Sequence, residues 1–275
     1  MIKGIESLLC PLDGGLLERT GNSWCCAHGH SFDIARHGYV NLLPVQNKRS
    51  KDPGDSKAMV QARQRYLGHG FYAPVADALT ARVLQLNLGS VLDAGCGEGY
   101  YLRQLVDGAE TEQIPLKAAG LDISKWAVMA AARGEQRLTW LVASNAAIPL
   151  ADASVDGVVC VFGFPVAGEF RRVLRPGGHL LTIDPGPDHL VELKQIIYSD
   201  IKAKPVYQPM PESSFELISE QVINFPIGLR TNDLVQDLLI MTPHLYRASS
   251  AGRARANALD NLNLTVDMRL RTYRC

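Results

Sequence analysis

The chain lacks the features that direct a protein into a membrane or out of the cell. No run of apolar residues reaches the roughly 18 that a membrane-spanning helix needs. The first residues show neither the basic start nor the apolar stretch of a secretory signal. The six cysteines are unevenly spaced, which does not fit the disulfide framework of a small secreted domain. Together these absences predict a cytoplasmic protein with no membrane partner.

An excess of either charge is also missing, because 28 basic residues are balanced by 28 acidic ones. A neutral chain is not expected to bind nucleic acid strongly and non-specifically, so any basic surface must be local. The sequence has no internal repeat and no low-complexity tract. Its 275 residues, 47% of them hydrophobic, suffice for one core domain and an accessory piece.

A glycine-rich loop is the most informative feature that is present. An apolar run ends at Asp93, and glycines follow at positions 95, 97 and 99. This spacing differs from the Gly-x-Gly-x-x-Gly of dinucleotide-binding folds, and no Gly-Lys-Ser/Thr of a P-loop follows. Glycine leaves the backbone open to a ligand. A loop of this kind after the first parallel strand predicts a nucleotide-containing cofactor.

Two further motifs narrow the choice of cofactor. A second apolar run ends at Asp122, roughly 20 residues past the loop, where an acid can bind both ribose hydroxyls. An Arg-Pro-Gly-Gly turn at 175–178 precedes another apolar run. Together these motifs resemble the class I S-adenosylmethionine methyltransferases, in which the glycine loop wraps the methionine part of the cofactor. An NAD-binding domain with a variant loop is the alternative.

The periodicity predicts alternating strands and helices, as a parallel α/β sheet requires. Strands are expected at 90–93, 118–122, 138–142, 156–162 and 179–184. Helices are expected at 101–107, 124–133, 166–174 and 232–241, and a terminal strand at 262–272. The predicted fold class is therefore α/β, with a Rossmann-like sheet of the class I methyltransferase type and a small N-terminal zinc-ribbon-like domain.

The N-terminal cysteines and histidines have the spacing of two metal-binding knuckles. The predicted zinc ligands are Cys10, Asp13, Cys26 and His30. Cys25 and His28 are possible substitutes for members of this set. The alternative is a ribbon without metal, held by packing of Trp24 and Phe32, although a segment this small has little core of its own.

Two longer runs, Asn-Leu-Leu-Pro-Val-Gln at 41–46 and Asp-Pro-Gly-Asp at 52–55, lie between the knuckles and the glycine loop. With them, nearly the whole chain resembles the 23S rRNA (guanine-N1)-methyltransferases of the RlmA type. The resemblance implies a zinc-binding domain at 1–45, a basic linker with helices at 46–85 and an S-adenosylmethionine-binding domain at 86–275. It also implies a homodimer that acts on a hairpin of 23S rRNA. Asp13 stands where that family has cysteine, and Phe-Gly-Phe-Pro at 162–165 replaces the expected Tyr-Ala-Pro.

Eight residues are predicted to contact the cofactor. The resemblance implies Tyr72, Gly97, Glu98 and His189. The fold adds Asp93, Gly95, Asp122 and Asn145, the last of which follows the third strand, where a polar side chain meets the adenine amine. Without the resemblance, Tyr72 would be a packing aromatic and His189 a histidine bound to backbone at a helix start.

Methylation at guanine N1 calls for a general base, because that nitrogen carries a proton. The candidates are Asp184 and Glu192, with Asp188 and His189 beside them. Asp184 ends a predicted strand on the ligand side of the sheet. Asp188 is better explained as a solvated loop acid or a helix N-cap.

Binding of rRNA requires cations for the phosphates and a wall for an extruded base. The predicted RNA-binding residues are Lys48, Arg49 and Lys51, and the same cluster continues through Lys57, Arg63 and Arg65. Candidates for the wall are Phe162, Phe164 and Tyr246. A solvated charged linker and buried packing are the respective alternatives.

Two other functions compete with rRNA methylation. A methyltransferase for a small molecule would suit the neutral charge, but the basic linker argues against it. A non-catalytic S-adenosylmethionine-binding protein that binds RNA would be favoured by the altered Phe-Gly-Phe-Pro segment.

Overall fold

A computed structural model describes residues 1–47, 50–198, 210–242 and 248–275. These residues form one nine-stranded mixed sheet and one three-stranded antiparallel ribbon. The strands of the large sheet are β1 (Ile2–Gly4), β5 (Tyr39–Asn41), β6 (Ser90–Ala94), β7 (Leu116–Asp122), β8 (Thr139–Val142), β9 (Val155–Val161), β10 (Leu174–Pro185), β11 (Glu216–Leu229) and β12 (Leu262–Arg274). The ribbon consists of β2 (Leu17–Thr20), β3 (Ser23–Cys26) and β4 (Ser31–Asp33).

Helices cover the sheet. They are α1 (Lys57–Gly68), α2 (Ala73–Gln85), α3 (Tyr100–Thr111), α4 (Lys125–Gly134), α5 (Ala167–Val173), α6 (Val191–Ile197), α7 (Asn232–Met241) and α8 (Ser250–Asn257). Side-chain caps begin α1 and α4, where the hydroxyls of Ser56 and Ser124 accept the amides of Met59 and Ala127. No helix within the described residues is long and apolar enough to cross a membrane.

The order of strands in the sheet is β11-β12-β10-β9-β6-β7-β8-β5, and β1 also pairs with β7. Strands β6 to β10 are parallel to one another, and β6 lies among them with all five of its residues buried. A parallel strand with both faces covered reads as a continuous apolar run, which is why the sequence predicted it well. The predicted α/β class is confirmed, and the predicted strands and helices lie within a few residues of those observed.

One strand of the longest antiparallel pair among the described residues, β11, was not predicted. Strand β11 pairs antiparallel with β12 from Glu216↔Arg274 to Leu229↔Leu262. It is the edge strand, and the first seven of its residues are exposed on both faces. Such a strand shows no apolar alternation, so the usual signal for a half-buried strand is missing.

The N-terminal region contributes to the main sheet as well as to the ribbon. Strand β1 runs parallel to β7, and β5 runs parallel to β8. The segment that carries the metal-binding knuckles is therefore anchored to the large sheet at both of its ends. The boundaries at residues 45 and 85 remain predictions.

The Asp-Pro-Gly-Asp run packs against the turn between β7 and α4. Gly54 has φ +80°, and a Cβ there would lie 2.8 Å from Cγ2 of Ile123 and 2.9 Å from Cβ of Ser124. The Ser124 hydroxyl donates a 2.6 Å hydrogen bond to the carbonyl of Asp55. Only glycine tolerates both this φ and this close approach. We call residues 52–56 the clasp.

Candidate functional site

The carboxylate of Asp122 joins the glycine loop to the next strand end. Its Oδ2 accepts the amide of Gly97 at 2.9 Å, and its Oδ1 accepts the amide of Ser124 at 2.8 Å. The amide of Gly95 donates to the carbonyl of Leu121 at 2.7 Å. Residues predicted from separate motifs are thus brought together at the carboxyl ends of β6 and β7, where open α/β sheets bind ligands.

The three loop glycines have different reasons to be glycine. Gly95 and Gly97 have φ +98° and +56°. A Cβ on Gly95 would lie 3.8 Å from Cα of Gly163 and 3.9 Å from Nδ2 of Asn145, which are ordinary contact distances, so it is the positive φ and not crowding that favours glycine there. Gly99, at φ +84°, lies against Ala131 and Trp140, where a Cβ would be 2.9 Å from either. The first two glycines are therefore favoured by their backbone conformation, and the third also by close helix–sheet packing.

Asp93 is a buried acid with an unsatisfied oxygen. Its residue is 2% exposed, and its Oδ1 has no hydrogen-bond partner among the described residues. Burial, and then the nearby charge of Asp122, raise the pKa of Asp93 to about 8. Burial also raises the pKa of Asp122, against the opposing hydrogen bonds from Ser124 and Gly97. Two adjacent acids of this kind fit a ligand that brings hydroxyl or ammonium donors.

Asn145 connects two loops at the same edge of the sheet. Its Nδ2 donates to the carbonyls of Ala94 and Phe164, both at 3.3 Å. Its buried Oδ1 has no partner in the described part of the chain. The side chain therefore holds the loop after β9 against the end of β6 and retains an acceptor for a ligand amine.

An aromatic cluster borders this edge. The Tyr72 ring meets the rings of Phe162 and His189 edge to face, at centroid distances of 6.3 and 6.4 Å. The Tyr101 ring meets Phe162 at 6.1 Å. The structure thus brings Tyr72 and His189 together, although they are far apart in the sequence. Sequence analysis did not identify Tyr101, because an aromatic in the first turn of an amphipathic helix is indistinguishable from a packing residue.

Glu98, another predicted contact, has its side chain engaged elsewhere. Its Oε2 lies 2.7 Å from Nη2 of Arg103, and the residue is buried. Nη1 of Arg103 also donates to the Glu98 carbonyl at 2.6 Å. The carboxylate therefore fixes the loop to α3. The predicted contact between Glu98 and the cofactor remains a prediction, and it would involve the backbone amide of Glu98.

The candidate general bases separate clearly. Glu192 accepts both the amide and the hydroxyl of Thr265, at 2.9 and 2.6 Å. Burial alone would raise its pKa, but the hydrogen bonds from Thr265 hold the pKa below its usual value. Asp184 ends β10, its Oδ2 lies 3.4 Å from Arg271, and burial raises its pKa despite that cation. Asp184 thus has the environment of a general base and Glu192 that of a structural link.

Of the two alternatives for Asp188, the solvated loop acid is confirmed, because the residue is exposed, and the helix N-cap is wrong. Helix α6 begins at Val191, and its capping position is Leu190, at φ +53°. The amide of Asp188 instead donates to Oδ2 of Asp267 at 3.1 Å. The loop after β10 is therefore held by a buried acid of β12 rather than by a local cap.

The basic cluster is only partly open to phosphates. Lys48 and Arg49 lie outside the described residues, and Lys51 is exposed. Tyr246, a candidate for the wall of the base pocket, also lies outside them. Arg63 pairs with Asp55 at 2.5 Å, and Arg65 makes two contacts with Asp237 at 2.9 and 2.5 Å. These two arginines therefore hold α1 to the clasp and to α7, while the Arg65 side chain stays 58% exposed.

The ribbon brings the four predicted zinc ligands together. Their ligand atoms, from Cys10, Asp13, Cys26 and His30, all lie within 4.8 Å of one another. The His30 Nδ1 lies 3.5 Å from Sγ of Cys10 and 3.4 Å from Sγ of Cys26. Tetrahedral zinc with bonds of about 2.0–2.3 Å places such atoms roughly 3.5 Å apart. The residues present therefore fit a zinc ion.

The candidate substitutes for these ligands differ from each other. The Cys25 thiol is directed to the Ser31 hydroxyl at 3.5 Å, away from the ligand set. The His28 Nδ1 lies 2.9 Å from Oδ2 of Asp13, the same oxygen that faces His30. Asp13 is thus the centre of the polar contacts in the ribbon, as a zinc ligand with supporting hydrogen bonds would be.

Two family models match the chain. One is described as RlmA, N-terminal, and matches residues 8–51. The other is described as Methyltransferase domain and matches residues 92–182. The first covers the ribbon and β5, and the second covers the parallel part of the sheet from β6 into β10.

Several named proteins are similar to this chain. A Bacillus subtilis protein named "Putative 23S rRNA (guanine-N(1)-)-methyltransferase YxjB" is 30% identical over 271 residues, 94% of either chain. The 23S rRNA (guanine(748)-N(1))-methyltransferase of Streptomyces fradiae is 37% identical, over 69% of this chain and 67% of its own. A malonyl-[acyl-carrier protein] O-methyltransferase of Coxiella burnetii is 33% identical, over 50% of this chain and 49% of its own.

Replacing Cys26 by serine should remove the metal from the ribbon, because a serine hydroxyl is a poor zinc ligand. We expect the native protein to release about one zinc ion per chain on denaturation, and Cys26→Ser to release far less. Cys25→Ser is the matched control. The Cys25 thiol lies outside the ligand set, so this variant should retain the metal. Elemental analysis of the three proteins decides the matter, and equal zinc contents would contradict the assignment.

Replacing Asp93 by asparagine should stabilise the ligand-free protein at neutral pH. The pKa of Asp93 is about 8 in the folded state and about 3.9 unfolded, so folding favours the protonated acid. The contribution of Asp93 to the free energy of unfolding is full below about pH 4 and is lost as pH rises through about 8.

The advantage of Asp93→Asn in free energy of unfolding should grow by up to about 1.4 kcal/mol per pH unit between these limits. Urea unfolding at about pH 5 and about pH 7.5 measures it. Glu112→Gln, an exposed acid at the end of α3, serves as the control. A difference that does not change with pH would contradict the burial of a protonated Asp93.

Proposed function

The chain belongs to the RlmA-type family of 23S rRNA (guanine-N1)-methyltransferases, and we propose that it transfers a methyl group from S-adenosylmethionine to N1 of a guanine in 23S rRNA. The observation that carries this proposal is the link from Asp122 to the glycine loop, beside the unsatisfied acceptor of Asp93. A cofactor with several hydrogen-bond donors would supply partners to the carboxylates of both Asp93 and Asp122. The aromatic cluster borders the same edge of the sheet.

The residues at this edge fit S-adenosylmethionine, which supplies the methyl group on a sulfonium and requires no protein nucleophile. We assign the ribose to Asp122 and an amine donor to the buried oxygen of Asp93. Asn145 offers its free acceptor to the adenine amine. Gly95 and Gly97 allow close approach of the cofactor to the backbone, and Tyr72 and His189 border the acceptor side.

The protein must also orient the guanine and remove its N1 proton. Asp184 is the group we assign to this step: its carboxylate would accept the N1 proton while the methyl carbon exchanges its bond to sulfur for a bond to N1, with a neutral thioether as the leaving group. Its raised pKa makes it a stronger base than an ordinary aspartate. Alignment of the two partners in a pocket without water supplies much of the remaining acceleration.

Recognition of the RNA is assigned to three parts of the chain. The zinc ribbon at 1–45 and the basic segment with Lys48, Arg49 and Lys51 contact the backbone of an rRNA hairpin. The methyltransferase domain at 86–275 receives the base. We propose that the enzyme works as a homodimer in the cytoplasm, where ribosomal RNA is available.

Phe164 is the side chain best placed to stack on an extruded base. It is 86% exposed, and its carbonyl accepts a hydrogen bond from Asn145, so the ring projects into solvent from an anchored backbone. Stacking of one base on an aromatic ring contributes about 1–3 kcal/mol.

The direct test is methylation of 23S rRNA from a strain that lacks this gene, followed by mass spectrometry of the nucleosides. We expect N1-methylguanosine to appear only with protein and S-adenosylmethionine together. Phe164→Ala should lower kcat/KM for the RNA about tenfold without changing cofactor affinity, and Phe164→Tyr, which retains the ring, should not.

Absence of N1-methylguanosine would overturn the proposal. Transfer of the methyl group to a small molecule but not to RNA would favour the small-molecule reading. Binding of cofactor and RNA without any transfer would favour a non-catalytic protein.

A further inference from the structure

Phe162 has a backbone conformation that a bulky residue rarely adopts. It follows β9 directly and has φ +53°, in the left-handed region that favours glycine. Its amide donates to the carbonyl of Ile183 at 2.9 Å, which fixes the conformation. Glycine would relieve the strain at no steric cost. A strained aromatic residue at the edge of a site is a pointer to function rather than to folding.

The Phe162 ring stands among other rings without stacking on them. Its plane makes angles of 82° with Tyr72 and 72° with Tyr101. Tyr72 in turn meets His189 at 88°. Such angles describe edge-to-face packing instead of stacking, and we call this group of rings the aromatic corner. Phe162 remains 40% exposed, whereas both tyrosines are buried, so its ring is the outer wall of that corner.

The corner adjoins the glycine loop. Gly163, the residue after Phe162, has its Cα only 3.8 Å from the position of a Cβ on Gly95. Burial, and then the nearby charge of Asp93, raise the pKa of Cys160, which lies two residues before Phe162. A cofactor that follows Gly95 and Gly97 therefore passes directly beside the aromatic corner.

A sulfonium has a positive charge and no hydrogen-bond donor. The protein groups that can recognise such a cation are negative charges and the electron-rich faces of aromatic rings. Asp93 is buried and hydrogen-bond-deficient, which suits a donor better than a sulfonium. The rings are therefore the suitable partners for the charge.

We propose that Phe162, with Tyr72 and Tyr101, forms an aromatic enclosure for the sulfonium of S-adenosylmethionine. The enclosure makes the site prefer the charged cofactor to S-adenosylhomocysteine, the neutral thioether that remains after transfer. Product release is then favoured by the loss of the charge itself. This inference rests on the cofactor assignment above and not on the identity of the methyl acceptor.

The test compares the affinities for the two compounds by calorimetry, without RNA. Phe162→Leu retains an apolar side chain and the positive φ but removes the ring. We expect S-adenosylmethionine to bind about tenfold more weakly to it, which corresponds to about 1.4 kcal/mol, while S-adenosylhomocysteine binds about as before. Phe162→Trp should preserve the preference, because indole is the strongest ring for a cation.

Two further variants protect the interpretation. Phe164→Leu changes the other phenylalanine of the same loop and should alter neither affinity. Phe162→Gly suits the positive φ and removes the ring, so it should lose the preference in the same way as Phe162→Leu. An equal loss of both affinities in Phe162→Leu, or no change in either, would overturn the proposal. Because no RNA is present, failure to methylate rRNA leaves this result interpretable.

Discussion

The carboxylate of Asp122 is the interaction on which the rest of the cofactor site depends. One oxygen accepts the amide of Gly97 and the other that of Ser124, so one side chain fixes the glycine loop and the turn after β7. Ser124 also connects this turn to the clasp, because its hydroxyl donates a hydrogen bond to the carbonyl of Asp55. Asp55 then pairs with Arg63 of α1. A chain of polar contacts thus joins the cofactor loop to a segment that precedes it by some distance in the sequence.

These contacts connect the N-terminal region to the predicted cofactor site. The ribbon with the zinc ligands ends near β5, which pairs with β8 of the main sheet. The chain then passes through the basic segment and reaches the clasp at residue 52. Contacts between RNA and the basic segment would therefore act close to Asp122. An enzyme that must align a cofactor with a second substrate benefits from such a connection, since correct alignment is most of its task.

Sequence patterns predicted the parts of the fold that are buried, and they predicted the rest poorly. The run ending at Asp93 was evident because a covered parallel strand is continuously apolar, and Asp122 was found by its spacing from the loop. Strand β11 escaped because an exposed edge lacks alternation. The roles of Arg63, Arg65 and Glu192 escaped because each depends on a partner distant in sequence: Asp55 in the clasp for Arg63, Asp237 for Arg65 and Thr265 for Glu192. Strain at Phe162 is a backbone property that no pattern of residue types reveals.

The most direct measurement of the central claim is a calorimetric titration of S-adenosylmethionine into the native protein and Asp122→Asn. An asparagine keeps the shape of the side chain, but its amide nitrogen must face a backbone N–H that the carboxylate accepted. The account predicts that the loop loses one anchor and that the cofactor binds at least about tenfold more weakly. An unchanged dissociation constant, with the fold intact by circular dichroism, would contradict it.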